Sequence, residues 1–280
     1  MNRLVVTADD FGLAREVNEA VEIAHRKGIL SAASLMVAAP EAQDAVSRAR
    51  SMPNLRVGLH LALTDALPAL PPEKIPQLVD RAGRLRADLA RLGFDLAVDR
   101  DARRQMRAEI EAQFAAFRAT GLALDHVNVH QHFHLHPVVA AMVIGIGRAY
   151  RMRALRAPYE PRRMIALADE SSAPAYRAVE QGCAAWLRRL AKRAGLATAD
   201  GVLGLRWSGC MTAQRLQSLL SRLPPGFWEI YLHPATRDAF PGCAPGYRYV
   251  DELAALVDPL SIEALRRAGR SIGGYGDLPG

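Results

Sequence analysis

Four histidines stand on alternate positions near the middle of the chain, His130, His132, His134 and His136, in the run DHVNVHQHFHLHP that closes on Pro137. In an extended segment residues two apart share a face, so four imidazoles would start out pointing the same way. Imidazole is the commonest metal ligand among side chains and titrates nearest neutral pH. At about 3.3 Å per residue the first and last ring are spread over roughly 20 Å, too far apart for one ion to take them all. The expected geometry is one histidine ligating at a strand end, with the others lining a pocket as the chain turns away. A His-rich tract can equally bind metal without any function.

Other chemistry-bearing groups fall at the ends of apolar runs. Asp9 and Asp10 follow the run at 4–7, His60 closes that at 56–59, His130 that at 124–129, and His233 the one before Pro234. Two histidines and a carboxylate from three strand ends can hold a divalent ion while leaving positions open for water and substrate. Such an ion lowers the pKa of a coordinated water to about 7 and polarises a carbonyl oxygen, the combination that hydrolyses amides and esters. Adjacent aspartates leave the backbone in different directions, so one carboxylate ligates and the other takes a proton as general base. A leaving amine then needs an acid, and His233 is placed for that. Asp-Asp before Phe-Gly is also compatible with turn and capping chemistry, and LHPAT with simple strand termination.

Alternating strands and helices must position these groups. Strand patterns occur at 4–7, 31–37, 56–59, 124–129, 154–157, near Val202, at 229–232 and at 271–275. Helical spacing occurs at 14–27, 41–50, 103–120, 137–148 and 173–194, around 216–223, and once or twice more in the tail. The alternation predicts parallel βαβ units that close into a barrel or wind into an open sheet. In βα barrels the C-terminal strand ends form the active site. Between 64 and 100, prolines at 68, 71, 72 and 76 break the periodicity. This stretch is expected to be a long excursion without regular elements, serving as a lid or a substrate-binding wall.

The 280 residues, half of them hydrophobic, suit one domain spanning 1–280. A net charge of +7 permits anionic partners, but the arginines are scattered over amphipathic helices and aromatic residues are too sparse for a stacking platform. No nucleic-acid partner is expected. Three cysteines, Cys183, Cys210 and Cys243, lie far apart and suit reduced thiols in the cytoplasm. The N-terminus has neither the charged nor the apolar region of a signal peptide, and no run is long enough to span a membrane. A soluble or peripheral protein is expected, with a homodimer left open.

Four stretches carry a family resemblance: TADDFG at 7–12, GLHLALT at 58–64, HVNVHQHFHLHP at 126–137 and YLHPAT at 231–236. Together they resemble the YdjC-like carbohydrate deacetylases, which remove the acetyl group from N-acetylated sugars. The resemblance implies an α/β fold, a distorted (β/α) barrel of the polysaccharide-deacetylase type. It also implies one divalent metal held by Asp10, His60 and His130. Zinc suits the mixed ligands first, and magnesium, manganese, cobalt and nickel are compatible. By the same likeness Asp9 is the general base and His233 the general acid, with His132 or His134 as alternatives. ASLMVAAP, LRAPYEP, RWSGCMT and EIYLHPAT resemble the branch associated with hopanoid biosynthesis, implying an N-acetylglucosaminyl hopanoid substrate, with chitin oligosaccharides as the alternative.

Many relatives read Asp-Ser-His-His-His where this chain has Asn128, Val129, His130, Gln131 and His132. Asn128 can still accept a hydrogen bond from a ligand imidazole, though without supplying a negative charge. Arg156 is expected to orient Asp9 by a charge-assisted bond or, alternatively, to pair with Glu160 or solvent. Trp207 offers either an apolar face to a sugar ring or a core side chain. A metal-dependent phosphoesterase and a nonenzymatic protein binding nucleic acid or a membrane surface are the competing classes.

Overall fold

Alternation within each strand builds two faces, and the inner face becomes the site. The computed structural model describes residues 2–168 and 178–277. Its strands are β1 (Asn2–Phe11), β2 (Ala32–Leu35), β3 (Arg56–Leu61), β4 (Val127–Val129), β5 (Gly201–Leu203), β6 (Gly226–Leu232) and β7 (Ser271–Ile272). All pair in parallel, in the order β4-β3-β2-β1-β6-β5, with β7 added beside β1. The sheet curls into a distorted barrel. Among the described residues its two edges meet through irregular pairing: Val127 bridges Leu155, Ala154 bridges Ala197, and the Val202 amide donates to the Tyr159 carbonyl at 2.9 Å. The strand expected at 154–157 is reduced to those bridges, and that expected at 271–275 to its first two residues.

The helices are α1 (Arg15–Lys27), α2 (Ala42–Arg50), α3 (Leu89–Val98), α4 (Arg100–Ala119), α5 (Pro137–Ala149), α6 (Arg162–Ala168), α7 (Ala178–Arg193), α8 (Ala213–Arg222), α9 (Tyr249–Val257) and α10 (Pro259–Ala268). Residues 173–177 of the helix expected at 173–194 lie outside the described residues. In β1, Leu4, Val6 and Ala8 join the large core under the helices, while Val5 joins a smaller cluster inside the curl with Ala32, Val202, Phe227, Tyr231 and Tyr275. In β6, Trp228, Ile230 and Leu232 face the helices, and Phe227 and Tyr231 face inward. The period of two therefore carries Thr7 and Asp9, and likewise Glu229 and His233, onto the inner face above an apolar floor. Among the described residues no helix is long and apolar enough to cross a membrane.

The excursion differs from its expected form. It contains α3, whose N-cap Asp88 accepts from the Arg91 amide, a capping signal masked in the sequence by the preceding prolines. Ile75, Leu78, Leu85, Leu92 and Leu96 are buried in the main core. Glu109 of α4 accepts from the amides of Ala69 and Leu70 at 2.7 and 3.0 Å. The excursion is thus a packed wall.

Candidate active site

β1 ends in a kink that separates its two carboxylates. Asp10 has φ 62°, a left-handed conformation that aspartate tolerates better than most residues, and the β1–β2 register shifts between Ala8 and Phe11. Gly12 follows at φ 97°, where a side chain would meet Ala42 and Met36. Asp9 consequently stays on the inner strand face while Asp10 turns toward β3 and β4. His60 comes from within β3, and His130 directly follows β4.

Three donor atoms converge. Asp10 Oδ1 lies 3.2 Å from His60 Nε2 and 3.3 Å from His130 Nδ1, and the two nitrogens are 3.3 Å apart. Donors about 2.1 Å from a shared tetrahedral centre would sit about 3.4 Å from one another. Asp10 Oδ1 is buried with no hydrogen bond of acceptable geometry, so its lone pairs face the same point as the two imidazoles. Such an orphaned anion beside two imidazole nitrogens fits a divalent cation. Burial pushes the Asp10 carboxyl up, but the His130 and His60 rings outweigh this and hold it well below the usual carboxylate range. Burial lowers His130, and the Asp10 contact outweighs it and raises that ring. Among the described residues this is the one cluster of histidine, cysteine and carboxylate groups spaced to hold an ion.

Asp9 is held differently. Arg156 Nη1 donates to Asp9 Oδ2 and Nη2 to Oδ1, the latter at 3.0 Å, and Asn128 Nδ2 donates to Oδ1 at 2.9 Å. Burial raises the Asp9 carboxyl, while the Arg156 charge and hydrogen bonds more than reverse this and keep it ionised far below its ordinary value. Arg156 is wholly buried and shared, because its Nε and Nη2 also donate to Glu229 Oε2 and Oε1 at 3.0 and 2.7 Å. Glu229 accepts further bonds from Thr7 Oγ1 at 2.7 Å and from the Tyr275 hydroxyl. Arg156 therefore does not pair with Glu160, which instead accepts from the amides of Gly204, Leu205 and Arg206.

A cavity of about 590 Å³ opens above these groups, lined by Asp9, Asp10, His60, His130, His132 and His233 among others. The excursion contributes Asp65, Ala66, Leu67 and Arg84 to its wall. His233 Nδ1 is buried without a partner, its ring packs edge-on to Tyr231 and Tyr247, and its backbone amide donates to the buried Glu252. Burial lowers the His233 pKa, with Asp10 and Asp9 pulling it upward.

The chain turns away after His130 as expected, but of the other three histidines only His132 lines the pocket. Gln131 and His132 take left-handed conformations, φ 52° and 55°, and the chain coils into a turn of 3₁₀ type over His130–Leu135. His132 reaches the cavity and lies 3.3 Å from the Tyr231 hydroxyl. Burial and the Arg156 charge push its pKa well down. His134 is fully buried beneath the wall, its Nε2–H donating to the Arg156 carbonyl at 2.8 Å, so it meets no substrate. His136 precedes α5, away from the cavity lining. Trp207 is a core side chain, 3% exposed, and lies outside the cavity lining because it packs inward against the main core.

Sequence reasoning missed Ser34, Asp125, His126, Glu229, Tyr231, Glu252 and Tyr275. One signal was available: Glu229 is a lone charge in the strand GFWEIYL, and a charge buried in a parallel strand requires a partner. The rest are ordinary types whose roles arise only once strands, α9 (Glu252) and the last described turn (Tyr275) are brought together.

A carboxylate and two histidines meet at the C-terminal strand ends of a parallel barrel, beside a second buried carboxylate, in an arrangement able to hold a divalent cation. The chain belongs to the family described as YdjC-like protein, whose sequence pattern matches residues 3–267. It is 37% identical over 150 residues to a carbohydrate deacetylase of Brevibacillus brevis, covering 54% of this chain and 57% of that protein. It is 28% identical over 272 residues to one of Thermoanaerobacter pseudethanolicus, covering 97% and 90%. A solved structure from Enterococcus faecalis, described as a cellobiose-phosphate cleavage protein, superposes with TM-score 0.76 at 24% identity over 100% of this chain and 99% of its own. That likeness establishes the barrel.

Proposed function

We propose that the protein is a divalent-metal-dependent hydrolase that removes the acetyl group from an N-acetylated amino sugar. The observation that carries this reading is the convergence of Asp10, His60 and His130 on a cavity that also presents Asp9 and His233. Relatives named carbohydrate deacetylases, aligned over nearly the whole chain, supply the substrate class. Asp10, His60 and His130 would hold a divalent cation, zinc foremost, which when bound would supply Lewis-acid polarisation of a carbonyl and a lowered pKa for a water molecule.

Asp9 orients that water and takes its proton. The water oxygen bonds to the acetyl carbon, the carbon–nitrogen bond breaks, and His233 gives a proton to the departing nitrogen. Acetate and the free amino sugar are the products. Arg156 keeps Asp9 ionised, and sharing Arg156 with Glu229 limits how far the base is weakened. His132, on the cavity wall and hydrogen-bonded to Tyr231, is a substrate contact. The acceptor we assign is N-acetylglucosamine carried on a hopanoid, since Leu13, Met36, Pro40, Leu67 and Pro241 give the cavity an apolar side suited to a lipid aglycone. A lipid-linked substrate also places the cavity mouth at a membrane surface.

Mass spectrometry of the products from N-acetylglucosaminyl lipids and from chitin oligosaccharides, with and without chelator, tests the reading. Loss of 42 mass units (one acetyl replaced by hydrogen, about 42 Da) from the lipid substrate, abolished by chelator, is expected. Turnover untouched by chelator would overturn metal dependence, and deacetylation confined to chitin oligosaccharides would overturn the lipid acceptor.

A further inference from the structure

Below the candidate ligands runs a buried chain of polar groups that the hydrolytic reading does not use. Asp125 is 7% exposed, and His126, Ser34 and Asn128 are 0%. Asp125 accepts the Tyr275 amide at 3.0 Å on Oδ2 and the Gly276 amide at 2.8 Å on Oδ1. Its Oδ2 also lies 2.9 Å from His126 Nδ1. A carboxylate can only accept there, so the proton of this ring sits on Nδ1 and Nε2 is left as an acceptor. Ser34 Oγ, 3.0 Å from Nε2, donates to it and keeps a lone pair for Asn128 Nδ2 at 3.0 Å. The second hydrogen of that amide goes to Asp9 Oδ1 at 2.9 Å. Asn128 Oδ1 is thereby turned to His60 Nδ1 at 2.8 Å. An amide oxygen only accepts, so His60 carries its proton on Nδ1 and presents the Nε2 lone pair beside Asp10 Oδ1 and His130 Nδ1.

We propose that Asp125, His126 and Ser34 are positioning residues which, through Asn128, fix the tautomer of His60 and the orientation of Asp9. Each bond direction in the chain follows from the one before it, and the chain runs between two fixed acceptors, Asp125 at one end and the ionised Asp9 at the other, which set Asn128 in the same sense.

The backbone around the chain is shaped for it. A side chain at Gly58 would lie 2.5 Å from the His126 ring, one at Gly274 would lie 2.3 Å from Asp125 Oδ1, and one at Gly276 would lie 3.0 Å from the same oxygen. Tyr275, between the last two, stacks on His126 with ring centroids 5.1 Å apart, while its hydroxyl donates to Glu229. The C-terminal segment thus braces both supports of Asp9, the Asn128 side and the Arg156 side. Arg56 and Asp277 clamp that segment through two hydrogen bonds at 3.2 and 2.8 Å. Asp125, His126 and Ser34 have the residue types of a nucleophilic triad, but Ser34 Oγ is sealed under Asn128, which leaves positioning as their role.

The test uses full-length metal-free protein labelled with ¹⁵N-histidine, in which two-bond proton–nitrogen correlations report each tautomer. Wild type should show His60 protonated at Nδ1 alone. Ser34→Ala, which deletes one oxygen, should give His60 as a mixture of tautomers, with zinc affinity lowered about tenfold or more. Asp125→Asn should shift both in the same direction, and serves if Ser34→Ala fails to fold. His60 protonated at Nε2 in wild type, or an unchanged tautomer and zinc affinity in the folded variants, would overturn the proposal. Only the turnover arm, where kcat should fall with KM unchanged, rests on the deacetylase reading. A protein that cleaves no acetamide yet shows the tautomer shift would refute that reading and leave this one standing.

Discussion

Residues 126–130 and residues 131–136 carry the same alternation of polar side chains, and the fold uses them in opposite ways. In the first stretch β4 holds the chain extended, so His126, Asn128 and His130 share the inner face and climb from the buried relay to the candidate ligand. In the second, two left-handed residues break the strand, and His132, His134 and His136 are dealt out to the cavity wall, the layer beneath it and the start of α5. Alternation is a promise of a shared face only while the backbone stays extended. The upstream stretch is bonded at His126 and Asn128 and leads up to the unpartnered Asp10 Oδ1, whereas in the downstream stretch His132, His134 and His136 each leave a buried Nδ1 without a partner. What distinguishes Asp10 Oδ1 is that two imidazole nitrogens face the same point, the arrangement that suits a cation.

The comparison can be broken in several places. The largest effect is expected at Asp9, which the upstream stretch orients through Asn128: Asp9→Asn should lower kcat about 10²- to 10⁴-fold while metal content, read by elemental mass spectrometry, stays that of wild type. Near-normal turnover would remove Asp9 as the base. In the downstream stretch the prediction concerns stability. Burial, with the Arg156 and His60 charges, depresses His134 from 6.5 to about 4 against the opposing bond to the Arg156 carbonyl. A depressed pKa means the unfolded chain binds the proton first, so this contribution is present above pH 6.5 and is lost as pH falls toward 4. Denaturant unfolding of the metal-free protein should lose up to about 3 kcal/mol across that window, and His134→Gln should flatten the profile.

Gly58→Ala would drive a methyl into the His126 ring and should destabilise the protein by about 1–3 kcal/mol, with a fall in zinc affinity that distinguishes the relay from plain overpacking. The smallest effect is expected at His136, which makes no hydrogen bond to the site. His136→Ala should change unfolding free energy by under about 1 kcal/mol and leave turnover and metal binding intact.

The parallel βαβ alternation and the strand-end placement of Asp9, Asp10, His60, His130 and His233 were legible because they follow from periodicity and from where each apolar run stops, while closure into a barrel rather than an open sheet was implied only by the family resemblance. α3 was not, since the prolines at 68–76 dominated a stretch whose own cap lies further on at Asp88. Trp207 showed only its residue type, and type does not say which side of a wall a ring occupies. The relay was hidden for a deeper reason. Ser34 and Tyr275 meet the neighbouring pair Asp125 and His126 only after β2, β3, β4 and the chain's last described turn are brought side by side, and none of them is an unusual residue where it stands.

Metal stoichiometry tests the central claim most directly, that one histidine of the run joins Asp10 and His60 in holding a metal. One zinc per chain is predicted for wild type and for His132→Ala, and none for His60→Ala or His130→Ala, each confirmed as folded by its thermal transition. A full complement of metal in His130→Ala, or its loss in His132→Ala, would contradict the account.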